Sequence, residues 1–128
     1  MLGQHALIID DTPDNVQVLR MLLEREGLTT SAALKSYDVP DALDQLEQVD
    51  VIFLDLEMHN GDYYSLLNDL KANPRLYGVP VIAYTVHISE IDNARKAGFD
   101  GFIAKPIKMT DFPAHLRRIL DGQPVWVY

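Results

Sequence analysis

A chain of 128 residues, 48% apolar and 23% charged, has the length for one domain with a substantial core and the composition of an ordinary globular protein. It contains no cysteine, which excludes a disulfide framework and any thiolate metal site. Its formal charge of −8 argues against a surface for nucleic-acid phosphates, its N-terminus MLGQHALIID lacks the basic-then-apolar pattern of a secretory leader, and no apolar run approaches the length that spans a bilayer.

Taken in chain order, short apolar runs alternate with helical patterns. Residues 5–9 (HALII) form an apolar run that stops at Asp10 and Asp11. Asp14 then caps a predicted helix with Val16, Leu19, Leu22 and Leu23 on one face, closed by Gly27. Residues 28–33 read as a second strand, and residues 41–48 as a short helix turning Ala42, Leu43 and Leu46 inward. Residues 51–54 (VIFL) form a buried strand ending at Asp55. Residues 64–72 carry Leu66, Leu67 and Leu70 at helical spacing, with Pro74 beyond the end. Residues 79–84 predict a strand ending at Thr85, and Ser89 caps a helix that runs to Ala97 and closes at Gly98. Residues 102–104 are a short strand ending at Lys105, and residues 111–120 the last helix. The domain is expected over residues 1–122. Residues 123–128 are left as a short apolar tail that packs back on the domain, covers a neighbour, or is a linker stub.

Five strands alternating with five helices predict an α/β fold: a doubly wound five-stranded parallel sheet with helices on both faces. In such a sheet all strand C-termini share one edge, where ligands bind. That edge would collect Asp10, Asp11, Asp55, Thr85 and Lys105. Three neighbouring carboxylates repel one another, and a divalent ion is the simple remedy. An all-oxygen donor set favours Mg²⁺, or Mn²⁺ in its place. A carboxylate can attack phosphorus to form an aspartyl phosphate, whose oxygens then require positive charge and hydrogen-bond donors.

These residues resemble, in order, the receiver domains of two-component response regulators, the CheY-like branch of the flavodoxin-like folds. The likeness lies in Asp10-Asp11 after the first strand, Asp55 in FLDLEM, Thr85 in IAYTV and Lys105-Pro106 in FIAKP. DTPDNVQVLRMLLE is similar to the family's first helix and AGFDGFIAKP to the approach to its lysine, so the resemblance runs from about Ala6 to about Leu120. It implies that Asp55 is the phosphoacceptor and that Asp10, Asp11 and Asp55 hold the metal with the backbone carbonyl of Glu57. It implies that Thr85 bonds a phosphoryl oxygen, that Lys105 pairs with the phosphoryl group or with Asp55, and that Phe102 is the aromatic that moves with Thr85. The Lys105–Pro106 bond is expected to be cis, an isomer essentially confined to bonds before proline. The implied donor is a histidine kinase or phosphotransfer protein, and the implied setting is the cytoplasm. The implied output surface is the last two helices and last strand, with Ile88, Ile91, Ala94, Arg95, Arg117 and Arg118. A symmetric dimer would use Asp92, Arg95, Asp111 and Arg118. The chain would be a switch rather than an enzyme, catalysing only its own phosphorylation and dephosphorylation.

Several positions depart from the family's pattern. Val86 is bulkier than the usual small residue and is expected to narrow access to Asp55. Glu57 and His87 stand at positions that flank the path of attacking water. His59 replaces a common proline, and Tyr63 stands where glycine is usual. Bulk from Val86 and His87 is expected to retard phosphoryl exchange. Three other readings compete. A pseudo-receiver would bind partners without phosphorylation. A phosphohydrolase would use Glu57 as its acid, but the chain has no length for a cap. A flavin binder of the same architecture would need a better phosphate cradle than DDTPDN, which is acidic and lacks glycine.

Overall fold

The structure, a computed structural model, describes residues 3–58 and 63–128; His59 lies outside the described residues. The elements follow in the order β1 (His5–Ile9), α1 (Pro13–Arg25), β2 (Thr29–Ala33), α2 (Val39–Asp44), β3 (Val51–Asp55), α3 (Tyr63–Ala72), β4 (Val81–Thr85), α4 (Ile91–Ala97), β5 (Gly101–Ala104), α5 (Phe112–Leu120) and β6 (Val125–Val127). All strand pairs are parallel and the sheet order is β2-β1-β3-β4-β5-β6. Among the described residues the sheet therefore has six strands, not five. Residues 125–127 of the tail pair with β5 on its outer side, Gly101 opposite Val125 and Ile103 opposite Val127. Because β1 lies between β2 and β3, the winding reverses there, and this order directs a ligand to the C-terminal ends of β1 and β3.

The central strands are apolar without interruption because both faces are covered. Leu7, Ile9, Ile52, Leu54, Ala83 and Phe102 point to the layer that packs with α2, α3 and α4. Ala6, Ile8, Phe53, Ile82, Tyr84 and Ile103 point to the layer with α1 and α5. Each fully buried large aliphatic or aromatic side chain contributes about 1.5–3 kcal/mol, which fixes the register and so the positions of the strand ends.

Helix starts differ from the sequence reading. Pro13 occupies the first turn of α1 and Thr12 is its N-cap, so Asp14 lies inside the helix, where its charge faces the positive end of the dipole. The second helix begins at Val39 and ends at Asp44, because Pro40 is tolerated in a first turn where its missing N–H has no partner to lose. Ser89 lies within a 3-10 turn, Ile88–Glu90, and caps nothing. Gly98 ends α4 with φ of 105°, a left-handed conformation that favours glycine.

Candidate functional site

The ends of four strands build one small, largely buried centre. Asp10 follows β1 and is fully buried, Asp55 closes β3 at 2% exposure, and Thr85 closes β4, again fully buried. Lys105 directly follows β5 and precedes the cis Lys105–Pro106 bond, its side chain 11% exposed. The carboxylate oxygens of Asp10, Asp11 and Asp55 lie within 4.8 Å of one another. Three hard, anionic oxygen donors at that spacing fit a divalent cation of the Mg²⁺ type.

Each group is held by its surroundings. Asp10 Oδ1 accepts from the Thr12 N–H (2.9 Å) and Oδ2 from the Tyr84 hydroxyl (2.6 Å). Asp55 Oδ1 accepts from the Glu57 N–H (3.0 Å). Burial pushes the Asp55 carboxyl up to about 6, with neighbouring Asp10 adding to the rise and the Glu57 N–H and Lys105 opposing it. Lys105 Nζ lies 3.4 Å from Asp55 Oδ1, 3.7 Å from Asp10 Oδ2 and 4.3 Å from the centre of the Tyr84 ring. It is the one buried side-chain nitrogen or oxygen among the described residues without a hydrogen bond. An ammonium so placed is an unfilled donor aimed at the acid cluster.

Glu57 is more engaged than the sequence suggests. Its Oε1 accepts from the Thr85 hydroxyl and from the Val86 N–H (3.1 Å). His87 Nε2 lies 3.5 Å away, and the His87 N–H donates to Thr85 Oγ1 at 3.1 Å. Partial burial raises the Glu57 carboxyl, but the Thr85 and Val86 bonds, then Lys105 and His87, outweigh it and hold it below its ordinary value. Val86 is 53% exposed and stands with Lys105, Glu57, Tyr84 and Ile107 around a cleft of about 340 Å³. Phe102 is fully buried, on the same face of the sheet as Ala83. Tyr63 begins α3 and donates its hydroxyl to Glu90 (3.1 Å), linking α3 to the segment ahead of α4.

Tyr84 is the site residue that sequence reasoning missed. It is 1% exposed, with burial and the nearby Asp10 holding its phenol well above the usual range. The available signal was a lone aromatic with a polar tip in the run VIAYT. Facing opposite to Thr85, it needs a buried partner for its hydroxyl.

The expected output surface also changes. Ala94 is fully buried, because it lies on the inward face of α4, and so it cannot be an exposed contact residue. Arg95 stacks over Trp126 with its guanidinium carbon 4.7 Å from the ring centre, and Arg118 donates to the Pro124 carbonyl at 3.1 Å. Both arginines are thus partly engaged by the tail.

A family model described as "Response regulator receiver domain" matches residues 6–117. The two-component response regulator ORR8 of Oryza sativa is 32% identical over 121 residues, covering 93% of this chain and 100% of that protein. The hybrid signal transduction histidine kinase L of Dictyostelium discoideum is 27% identical over 125 residues; the match takes in 92% of this chain but only 7% of that much longer protein. Among solved structures, the receiver domain of a histidine kinase from Syntrophus aciditrophicus is 30% identical with a TM-score of 0.80, covering 94% of this chain and 92% of that one. The receiver domain of a sensor histidine kinase from Pseudomonas aeruginosa, with a magnesium ion coordinated in its active-site cleft, is 25% identical with a TM-score of 0.80, covering 93% and 98%.

Proposed function

The chain belongs to the response regulator receiver domain family of two-component signalling, and on that premise we propose that it is a switch that takes a phosphoryl group on Asp55. The observation that carries this reading is the buried Lys105 ammonium, without a hydrogen bond, 3.4 Å from a buried carboxylate. With its carboxyl at about 6, Asp55 is mostly ionised at pH 7 and is a ready nucleophile. One of its oxygens forms the bond to phosphorus as the bond to the donor's imidazole nitrogen breaks and the electron pair leaves with the ring. The donor is a histidine kinase or a phosphotransfer protein.

Asp10, Asp11 and Asp55, with the backbone carbonyl of Glu57, would hold Mg²⁺, or Mn²⁺ in its place, and that ion would neutralise charge on the phosphoryl oxygens. Lys105, with Nζ 3.4 Å from Asp55 Oδ1, supplies a second positive charge. Tyr84 and the Thr12 N–H fix Asp10 in place, so the carboxylate pays no reorganisation when the site fills. Thr85 offers a hydroxyl to the transferred group, and Phe102 packs on the same face of β4 and β5 as the changes at Thr85 develop. A downstream protein reads the change through α4, α5 and the strands beside them. The described residues include no helix long and apolar enough to cross a membrane, and a cytoplasmic switch that binds no nucleic acid fits the charge of −8.

The test is intact mass after incubation with acetyl phosphate, with and without Mg²⁺, on wild type and Asp55→Asn. A metal-dependent gain of one phosphoryl group in wild type alone is expected. Absence of that gain in folded wild type, with a phosphohistidine donor failing as well, would overturn the reading in favour of a phosphorylation-independent interaction module.

A further inference from the structure

We propose that the Glu57 carboxylate is an internal surrogate for the phosphoryl group: it occupies the donors at the end of β4, and phosphorylation must displace it. The inference rests on Asp55 being the acceptor. The Glu57 N–H is bonded to Asp55 Oδ1 at 3.0 Å, so the two residues are joined through the backbone. From there the Glu57 side chain reaches the end of β4, where its Oε1 accepts from the Thr85 hydroxyl and from the Val86 N–H at 3.1 Å.

The donor inventory makes this a competition. A hydroxyl has one proton to give. That of Thr85 is committed to Glu57, while its oxygen already accepts from the His87 N–H at 3.1 Å. The Val86 N–H is committed as well. At the end of the adjacent strand β5, Lys105 Nζ remains without a hydrogen bond. A phosphoryl group on Asp55 would bring charged oxygens that need donors on more than one side. It would find the Lys105 ammonium without a hydrogen bond and the donors at the end of β4 taken by another oxyanion. A carboxylate that accepts from a hydroxyl and an amide N–H makes the same kind of bonds a phosphoryl oxygen would make there. Occupancy by one excludes the other, and the freed Glu57 must turn toward solvent. Glu57 thereby sets how tightly the site holds a phosphoryl group, and its contact with His87 (3.5 Å) tunes how firmly Glu57 is held.

The experiment measures the affinity of the Mg²⁺-dependent phosphoryl analogue beryllofluoride by calorimetry, in wild type, Glu57→Ala, Glu57→Gln, Thr85→Ala and the Glu57→Ala/Thr85→Ala pair. Circular dichroism checks that each is folded. Glu57→Ala is expected to bind about tenfold tighter than wild type, the order of one charge-assisted hydrogen bond released. Glu57→Gln, which keeps an acceptor of the same size, should gain less. In the Thr85→Ala background, where half of the contested donor set is gone, the gain from Glu57→Ala should shrink to about threefold or less. Equal or weaker binding by Glu57→Ala overturns the inference. So does a gain of the same size in the Thr85→Ala background, because simple charge repulsion would then account for it. If no protein binds the analogue and wild type takes no phosphoryl group from acetyl phosphate, the acceptor reading fails and the inference falls with it. Binding by wild type with an unchanged affinity in Glu57→Ala sinks the inference alone.

Discussion

Asp55 carries a consequence for stability that follows from its place in the site. Its carboxyl is pushed up to about 6, first by burial and then by Asp10, against about 3.9 in an unfolded chain. Between these values the folded protein holds a proton that the unfolded protein has released, so stability falls as pH rises through the window. The proton-linked stabilisation is fully present below about pH 4 and lost above about pH 6, and it amounts to at most about 3 kcal/mol. Asp55→Asn has no such titration. In metal-free buffer the variant should therefore be more stable than wild type at pH 7, by an amount that shrinks as pH falls to 4. Urea unfolding of both proteins across that range measures it. A gap that does not vary with pH would contradict the assignment. Glu57 titrates in the opposite sense, because its bonds to Thr85 and Val86 outweigh its burial, but it is present in both proteins and largely cancels. At pH 7, Mg²⁺ should narrow the gap, since only wild type retains all three carboxylates. The convergence of Asp10, Asp11, Asp55, Thr85 and Lys105 was legible in the sequence, because each directly ends an apolar run and a parallel sheet collects such ends. The bonds of Tyr84 to Asp10 and of Glu57 to Thr85 were not legible. They depend on rotamers chosen across different strands, β4 to the end of β1 in one case and the loop after β3 to β4 in the other, which no run of residues records.

The sixth strand was equally hard to read. Residues 123–128 (QPVWVY) include Pro124 and are too few to show a period, and the strand character of residues 125–127 comes from pairing with the edge of β5. Gly101 holds a sharper trace of it. A Cβ built there would sit 2.7 Å from the Val125 carbonyl oxygen and 2.9 Å from Ile82 Cδ1. The glycine is thus required for space, to let the backbone of β6 lie close. Gly101→Ala should destabilise the full chain by about 1–3 kcal/mol, because a strand backbone must shift. In a chain ending at residue 122 only the end of Ile82 must move, and the same substitution should cost less than about 1 kcal/mol. Urea unfolding of the four proteins gives the coupling. Equal costs in both backgrounds would mean that β6 does not press on β5. Deleting the tail also removes the contact of Arg95 with Trp126, which contributes about 0.5–1 kcal/mol at a partly exposed site. The helix boundaries were misjudged for a related reason. Pro40 and Ser89 look like edges in sequence, but a first-turn proline and a 3-10 turn let the chain enter the helix differently.

For the whole molecule, the relevant quantity is charge. The site holds three carboxylates and one ammonium, so most of the net −8 lies outside it. The two populations respond differently to salt. Asp10 and Asp55 are almost wholly buried, and ions in solution screen interactions between such groups and a bound cation only weakly. The remaining described acids are exposed or partly exposed, spread over helices, turns and loops, and their collective field draws cations toward the protein until salt screens it, over about 10 Å at 0.1 M. The affinity for Mg²⁺ should therefore fall a few-fold as NaCl rises from about 10 to about 150 mM, then level off. The fall reports the surface field and the plateau reports the buried cluster. Asp55→Asn should lower the plateau while leaving the steepness of the early fall nearly the same, because it removes one site ligand and only one of many charges. Titrations at fixed pH over that salt range, in wild type and variant, separate the two terms. A steady decline with no plateau would mean that the metal is held by diffuse surface charge rather than by the three carboxylates at the strand ends.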